Sequence, residues 1–498
     1  MFVDSRELNY SDINADICIV GAGAAGITIA RELIGTSLNV VLLESGGLDY
    51  EQETQDLYKG ETGGLHQPPL DASRLRYLGG ATNHWNGNIW PLFPDDLEQR
   101  PWLLNSGWPI SWEELNRHYP KAAEIVQIQG PNYWTPDRFD DLIAPLFVQP
   151  QLKNNDILKR VISQHSPPTR FGQVYRQDLK AAKNVTTYLH ANVVDVRTND
   201  DCNHARSVEV KTLSGTGFKV NAKAFVIALG AIENARILLC ANKQAKNGLG
   251  NDYDLVGRYF QDHLHTPNAA SAIIKGPTIW SLRPTEASKL GINCYLSLQN
   301  EIMAKEGIPR SILNVIPDWE KISANNGIFD KIDRMISFYT NRDDSDVVSL
   351  RLTMEQYPNP DSRVSLIDAR DSLGMQRVLL DWKMASQQSD AVNKTLDIMG
   401  RAFAASGLGR FKLDGEFHAD NTDIHPLETS FHHMGTTRMH ADPTKGVVDG
   451  NSRIHGIDNL YMAGSSVFTT TGVSNPTLTI VALSLRLAAH LKKSVTPG

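Results

Sequence analysis

An α/β fold of two units, one around a parallel sheet and one around a mostly antiparallel sheet, is what the sequence predicts, and three observations predict it. Residues 16–47, DICIVGAGAAGITIARELIGTSLNVVLLESGG, run as an apolar segment, a glycine-rich turn, helix-forming residues and a second apolar segment. Far along the chain, residues 460–464, LYMAG, form another apolar run that closes on Gly464, Ser465 and Ser466 before the helical pattern of residues 474–493. Between them, residues 347–354 (VVSLRLTM) and 363–367 (RVSLI) alternate apolar and polar as half-buried strands do.

The chain as a whole sets the bounds. Its 498 residues suggest two to three domains at roughly 150 residues each. A formal net charge of −7 carries no basic excess, so neither nucleic acid nor an anionic membrane is an expected partner. Cys18, Cys202, Cys240 and Cys294 are scattered without C-x-x-C or metal-ligand spacing, the pattern of reduced, inert thiols in a cytoplasmic protein. The N-terminus is acidic where a secretory leader is basic. No window reaches the roughly 18 apolar residues of a membrane span.

Taken in order, the first element predicts a dinucleotide site. Gly21 makes the tight turn, Gly23 admits close approach of a pyrophosphate, and Gly26 lets helix pack on strand. The phosphates then rest on a helix N-terminus, whose free N–H groups and dipole favour anions. Glu44, at the end of the second apolar run, is placed to accept hydrogen bonds from an adenosine ribose. NAD and FAD share that half, so the fingerprint leaves both open. Residues 76–87, RYLGGATNHWNG, follow with no helical or strand period. The alternating segments 347–354 and 363–367 flank Pro358-Asn359-Pro360 and predict a hairpin. Residues 390–405 place Val392, Leu396, Met399 and Phe403 at helical spacing, ending at Gly407. SFHHMGTTRMH, residues 430–440, gathers three histidines in a non-periodic segment, and histidine is the side chain best poised to move protons near neutral pH. His432 and His433 are adjacent and rarely converge on one ion, so no metal is expected. Asn475, before Pro476 and an apolar-periodic helix, reads as an N-cap with proline at the first helical position.

Together with AFVIALGAIENARILL (224–239), LVGRYFQDHLHT (255–266), GWPISWEELNRHY (107–119), EQYPNPDSRVSL (355–366) and DGNSRIHGIDNLYMAGSSVF (449–468), these motifs resemble the glucose-methanol-choline (GMC) oxidoreductase family of FAD enzymes. The likeness runs from the first strand to the last helix, weakening at about 120–170 and 270–350. It implies an FAD-binding Rossmann-like domain of discontinuous segments, residues 1–265 (with a cap loop at about 55–75) and 425–498. It also implies a substrate-binding domain, residues 266–424, on a mostly antiparallel sheet. The implied reaction is oxidation of a hydroxyl of a sugar, glycoside, polyol or alicyclic alcohol to a carbonyl. His432 would take the hydroxyl proton while hydride passes to flavin N5, with Asn475 as its partner on the substrate oxygen. His433 and His440 read as structural neighbours. The reduced cofactor would pass electrons to oxygen, a quinone or another acceptor.

The resemblance also assigns cofactor contacts. Gly21, Gly23, Ala25, Gly26, Glu44 and Ser45 hold the ADP half, with Val193, Ala228 and Gly230 beside it. Gly464, Ser465, Asn475, Pro476 and Thr477 face the ring. Gly79, Gly80, Asn83, His84, Trp85 and Asn86 run under the flavin. A branch that includes pyranose oxidase has a histidine-tryptophan pair here, its histidine bonded covalently to the flavin 8α-methyl. His84-Trp85 stands at that place, although Thr82-Asn83 replaces the branch's serine-threonine, so a covalent bond and a plain contact both stay open at His84. Two other readings of the chain are an NAD-dependent dehydrogenase and a non-redox, flavin-bound lyase on the same scaffold.

Overall fold

The computed structural model describes residues 1–8, 12–128, 134, 155–274, 281–282, 291–317, 346–407, 409–413 and 428–496. Strand Ile13–Val20 is buried over its last five residues and Val40–Leu43 over all four. Such unbroken apolar runs belong to a parallel sheet covered on both faces. Five strands lie parallel in the order Phe2–Asp4, Val185–Leu189, Val40–Leu43, Ile13–Val20 and Gly217–Ile227. Ala205–Lys211 and Asn192–Thr198 then add antiparallel. Leu460–Met462 pairs in parallel with Phe225–Ile227, so the sheet is assembled from discontinuous pieces, as expected. The closing helix Pro476–Ser494 packs on helix Ala24–Glu32, the one that follows the glycine turn.

The second sheet is antiparallel throughout its described ladders. Its main order is Gly409–Lys412, Leu264–Ile274, Asp346–Met354, Ser311–Pro317, Ile292–Leu298, Leu158–His165 and Asn88–Ile89. Two of these strands, Asn88–Ile89 and Leu158–His165, come from within residues 1–265. Helix Gln388–Ala405 buries Val392, Leu396, Met399 and Phe403, the four positions whose spacing predicts it, and packs on strand Gly409–Lys412. Gly407 follows with φ +74°, the left-handed conformation that commonly ends a helix.

The expected hairpin is not formed. Asp346–Met354 lies inside the large sheet between Leu264–Ile274 and Ser311–Pro317. Arg363–Arg370 instead pairs with Gln376–Trp382, and Glu61–Gly64 completes that three-stranded sheet in parallel. Alternation reports that a strand has one buried face and is silent on its partner. Here the Val364 N–H donates to the Gly257 carbonyl at 2.8 Å, and Ser362 Oγ donates to the Phe260 carbonyl at 2.7 Å, which ties the second strand to the 255–262 segment. All four cysteines are unpaired, Cys18 and Cys294 fully buried. Burial pushes the Cys294 thiol up to about 12 and the Cys240 thiol to about 11. Among the described residues, no helix is long and apolar enough to cross a membrane.

Candidate active site

The glycine turn forms a cradle that only glycine can make. Gly21 has φ +102°, and a Cβ there would sit 2.6 Å from the Ala228 carbonyl oxygen; a Cβ on Gly26 would sit 1.9 Å from the Gly21 oxygen. At Gly23, the N-cap of helix Ala24–Glu32, a Cβ would meet nothing within 4 Å. That open space lies where the helix's first N–H groups lack intrahelical acceptors. Glu44 is buried, and its carboxylate accepts the N–H groups of Ala22 and Gly46, each at 2.9 Å. Four lone-pair sites on a carboxylate leave it capacity for ribose hydroxyls. Ser45 and Val193 line a neighbouring cavity with Arg76, Leu229 and Glu233. Glu233 is held down at about 2 because Arg236, Arg74 and Arg76 outweigh its burial. Anion-accepting N–H groups, a buried acceptor and an unfilled gap between them fit a dinucleotide.

The RYLGGATNHWNG stretch is laid against this turn. The Gly79 N–H donates to the Ala22 carbonyl at 2.8 Å, and a Cβ on Gly80 would lie 3.5 Å from the Gly23 Cα. Gly79 has φ +98°, a conformation that opens the helical turn Gly80–Asn83. Asn83 is spent on its own loop, donating to the Leu78 carbonyl at 3.0 Å. Trp85 donates from Nε1 to the Thr169 carbonyl at 3.0 Å. Asn86 is exposed. His84 is exposed as well, and its imidazole has no hydrogen-bond partner among the described residues. Gly230 and Gly464, with φ +84° and +101°, also face open space, while Ser465 is buried and donates to the His433 carbonyl at 2.6 Å.

At the second centre the fold brings His432 to Asn475. The Asn475 amide Nδ2 is 3.2 Å from His432 Nε2. Asn475 occupies the N-cap position of helix Pro476–Ser494 but makes no capping bond with its side chain, so the expected cap holds in position only. Its Oδ1 lies 3.5 Å from the Asn88 amide nitrogen. Asn88 belongs to a neutral polar cluster on the large sheet: Ser163 donates to its Oδ1 at 2.6 Å, and it donates to the Tyr295 hydroxyl at 3.0 Å. On the other side of His432, its Nδ1 is 3.0 Å from His263 Nδ1. The buried Asp262 carboxylate accepts the backbone N–H of His263 at 2.7 Å and of His432 at 3.0 Å. Burial, then the neighbours His263, His265 and His433, hold the His432 imidazole well below its ordinary value, and burial pushes the Asp262 carboxyl up to about 6. His433 packs its ring on Phe260, centroids 5.6 Å apart, and His440 accepts the Asp442 N–H at 2.8 Å through Nδ1.

Residues 358–484 match a family model described as GMC oxidoreductase. The chain is 23% identical over 576 residues to the fructose dehydrogenase large subunit of Gluconobacter japonicus, covering 99% of this chain and 100% of that one. It is 25% identical over 527 residues to paromamine 6'-oxidase of Streptomyces fradiae, covering 95% and 90%. The chain is similar to the GMC oxidoreductases. Among solved structures, pyridoxine 4-oxidase from Mesorbium loti shares the fold of this chain with a TM-score of 0.62 at 19% identity, covering 96% of this chain and 99% of that one.

Three residues of the candidate site go unread in the sequence: Asp262, His263 and Asn88. The first two lie inside LVGRYFQDHLHT, where the adjacent Asp-His pair was a signal for polar chemistry in an otherwise apolar segment. Asn88 sits on a two-residue strand, and nothing local marks it.

Proposed function

We propose that this chain is a GMC oxidoreductase that holds FAD and oxidises a hydroxyl of a neutral sugar, polyol or similar alcohol to a carbonyl, with His432 as the base. The observation that carries the reading is the His432–Asn475 pair at 3.2 Å, at the N-terminal end of the last helix. Bound FAD supplies the two-electron acceptor. His432, uncharged through burial, takes the proton of the substrate hydroxyl at Nε2. Asn475 donates to the same oxygen, and a neutral amide there does not compete for the proton. The turn at Gly21–Gly26 receives the pyrophosphate, Glu44 the ribose hydroxyls, and the end of helix Pro476–Ser494 faces the ring with its positive potential. The neutral donors and acceptors Asn88, Ser163, Asn293 and Tyr295 suit a substrate rich in hydroxyls, in line with the fructose named in one relative.

At His84 a second reading stands on its exposed, unpartnered imidazole: a covalent bond to the flavin in place of a contact. The deciding experiment for the function is anaerobic bleaching of the purified protein by a panel of sugars, glycosides and alcohols. Bleaching by a neutral polyhydroxylated compound is expected. A colourless protein would point to a nicotinamide enzyme, and a yellow one that no alcohol bleaches would point to the lyase.

A further inference from the structure

The proton positions at His432 follow from the neighbouring imidazole of His263. His263 is buried, and its Nε2 lies 3.5 Å from the carbonyl oxygen of Thr471. A carbonyl only accepts, so His263 Nε2 carries the hydrogen. Burial keeps His263 neutral, at about 4, and a neutral imidazole with a hydrogen on Nε2 has a lone pair on Nδ1. That lone pair faces His432 Nδ1 at 3.0 Å, with the rings edge-on at 83°. His432 must therefore carry its hydrogen on Nδ1, which leaves on Nε2 a lone pair that accepts from the Asn475 amide.

The opposite arrangement fails twice. A hydrogen on His263 Nδ1 would leave its Nε2 lone pair against the Thr471 oxygen. It would also turn the His432 Nε2–H towards the Asn475 amide donor. We propose that His263, pinned by the Thr471 carbonyl, is a positioning residue that fixes His432 in the one tautomer able to act as a base at Nε2. The inference rests on His432 being that base. Asp262 supports the arrangement by holding the backbones of both histidines with one carboxylate oxygen. After His432 takes a proton, its Nδ1–H bond to His263 is unchanged, so the relay needs no rearrangement within the step. The other titratable groups facing the pair are His265 on the strand Leu264–Ile274 that follows His263, His433 beside the base, and Asp96 of the helix Pro94–Leu97.

The test is the tautomer itself. Holoenzyme labelled with nitrogen-15 histidine and free of substrate is expected to show His432 with a protonated Nδ1 and an unprotonated Nε2 at pH 8, the signal assigned by its loss in His432→Ala. His263→Phe, which lacks the acceptor, is expected to move that signal towards the other tautomer and to slow anaerobic flavin reduction by about 10²-fold or more with KM unchanged, as a misplaced proton on a catalytic imidazole does. His263→Asn, whose Oδ1 stands where Nδ1 stood, should recover most of the rate and the wild-type signal. A wild-type His432 protonated on Nε2 would overturn the inference, even if His263→Phe fails to fold. So would an Asn variant as slow as the Phe variant, or a Phe variant with wild-type rate and tautomer. Flavin reduction that survives His432→Ala would remove the base assignment instead, and the nitrogen spectrum tells the two failures apart.

Discussion

At the scale of single residues, His432 is a base because the fold sets it half-buried among other histidines. Burial and three neighbouring histidines hold its imidazole uncharged, so it has no proton to lose before it can accept one. His432→Ala should leave the protein folded and yellow while slowing flavin reduction by about two to four orders of magnitude, the usual worth of a general base; a stopped-flow rate equal to wild type would place the base elsewhere. Glu44 ties the turn at Ala22 to Gly46 and is offered to the ribose as well. Glu44→Ala removes a charged acceptor, a loss of about 1.5–3 kcal/mol, and the FAD content of the purified protein should fall. Full occupancy would mean that the carboxylate serves the turn alone. For His84, acid precipitation separates the two readings. A covalent bond leaves a yellow pellet and a tryptic peptide beginning at Tyr77 that carries the flavin's mass; a contact leaves a colourless pellet and an unmodified peptide.

At the scale of elements, helix Pro476–Ser494 gives up an ordinary stabilising contact to the site. Asn at an N-cap normally accepts an N–H of the first turn, worth about 1 kcal/mol, yet the Asn475 side chain turns to His432 and Asn88 instead. Asn475→Ser supplies a short side chain suited to the cap and unable to reach the imidazole. Thermal stability should hold or rise while flavin reduction slows by about 10²-fold, the order for one lost preorganised donor. A variant that melts lower and reacts normally would show that Asn475 serves the helix. The hairpin carries the complementary lesson: both alternating segments are strands, but their partners lie in two different sheets.

At the scale of the whole molecule, a buried ionic cluster ties the loop before Asn475 to both sheets' surroundings. Arg100 makes a two-pronged bond to Glu355 at 2.7 Å, Arg310 meets Asp96 at 2.7 Å, and the Gly472 N–H donates to Glu355 at 3.0 Å. Glu355→Gln leaves Arg100 buried without its carboxylate, a loss of about 3–5 kcal/mol, seen as a lower urea midpoint; an unchanged midpoint would mean that the cluster re-pairs through Asp96. Acid sensitivity follows from histidines withdrawn from water, His263 and His433 buried and His265 half-buried. His263, His265 and His433 sit at about 4, 3 and 3 in the fold, against about 6.5 in an unfolded chain. Between those values the unfolded state binds more protons, so their contribution is present above pH 6.5 and is lost as pH falls through the folded values. Asp262, raised to about 6, acts with the opposite sign between about 3.8 and 6 and offsets only one of the three. The melting temperature should therefore fall steadily from pH 6.5 to 4, and a flat profile would contradict the burial of these rings.

What the sequence determined by itself is the part written in local spacing. Glycine at 21, 23 and 26, an apolar run on each side and Glu44 after the second specify a strand, turn, helix and strand, because sterics and hydrogen bonding act there over a few neighbouring residues. The helix at 388–405 and its four buried apolar positions were legible for the same reason, and so was the interest of SFHHMGTTRMH. The tertiary structure decided everything that depends on which distant segments meet. It chose the sheet for each alternating strand, turned the Asn475 side chain from cap to site, and set His263 between the Thr471 carbonyl and His432. The side-chain contacts at the site join residues separated by 43 to 208 positions, and no local period records them, because burial of the whole core rather than the propensity of any segment fixes their geometry.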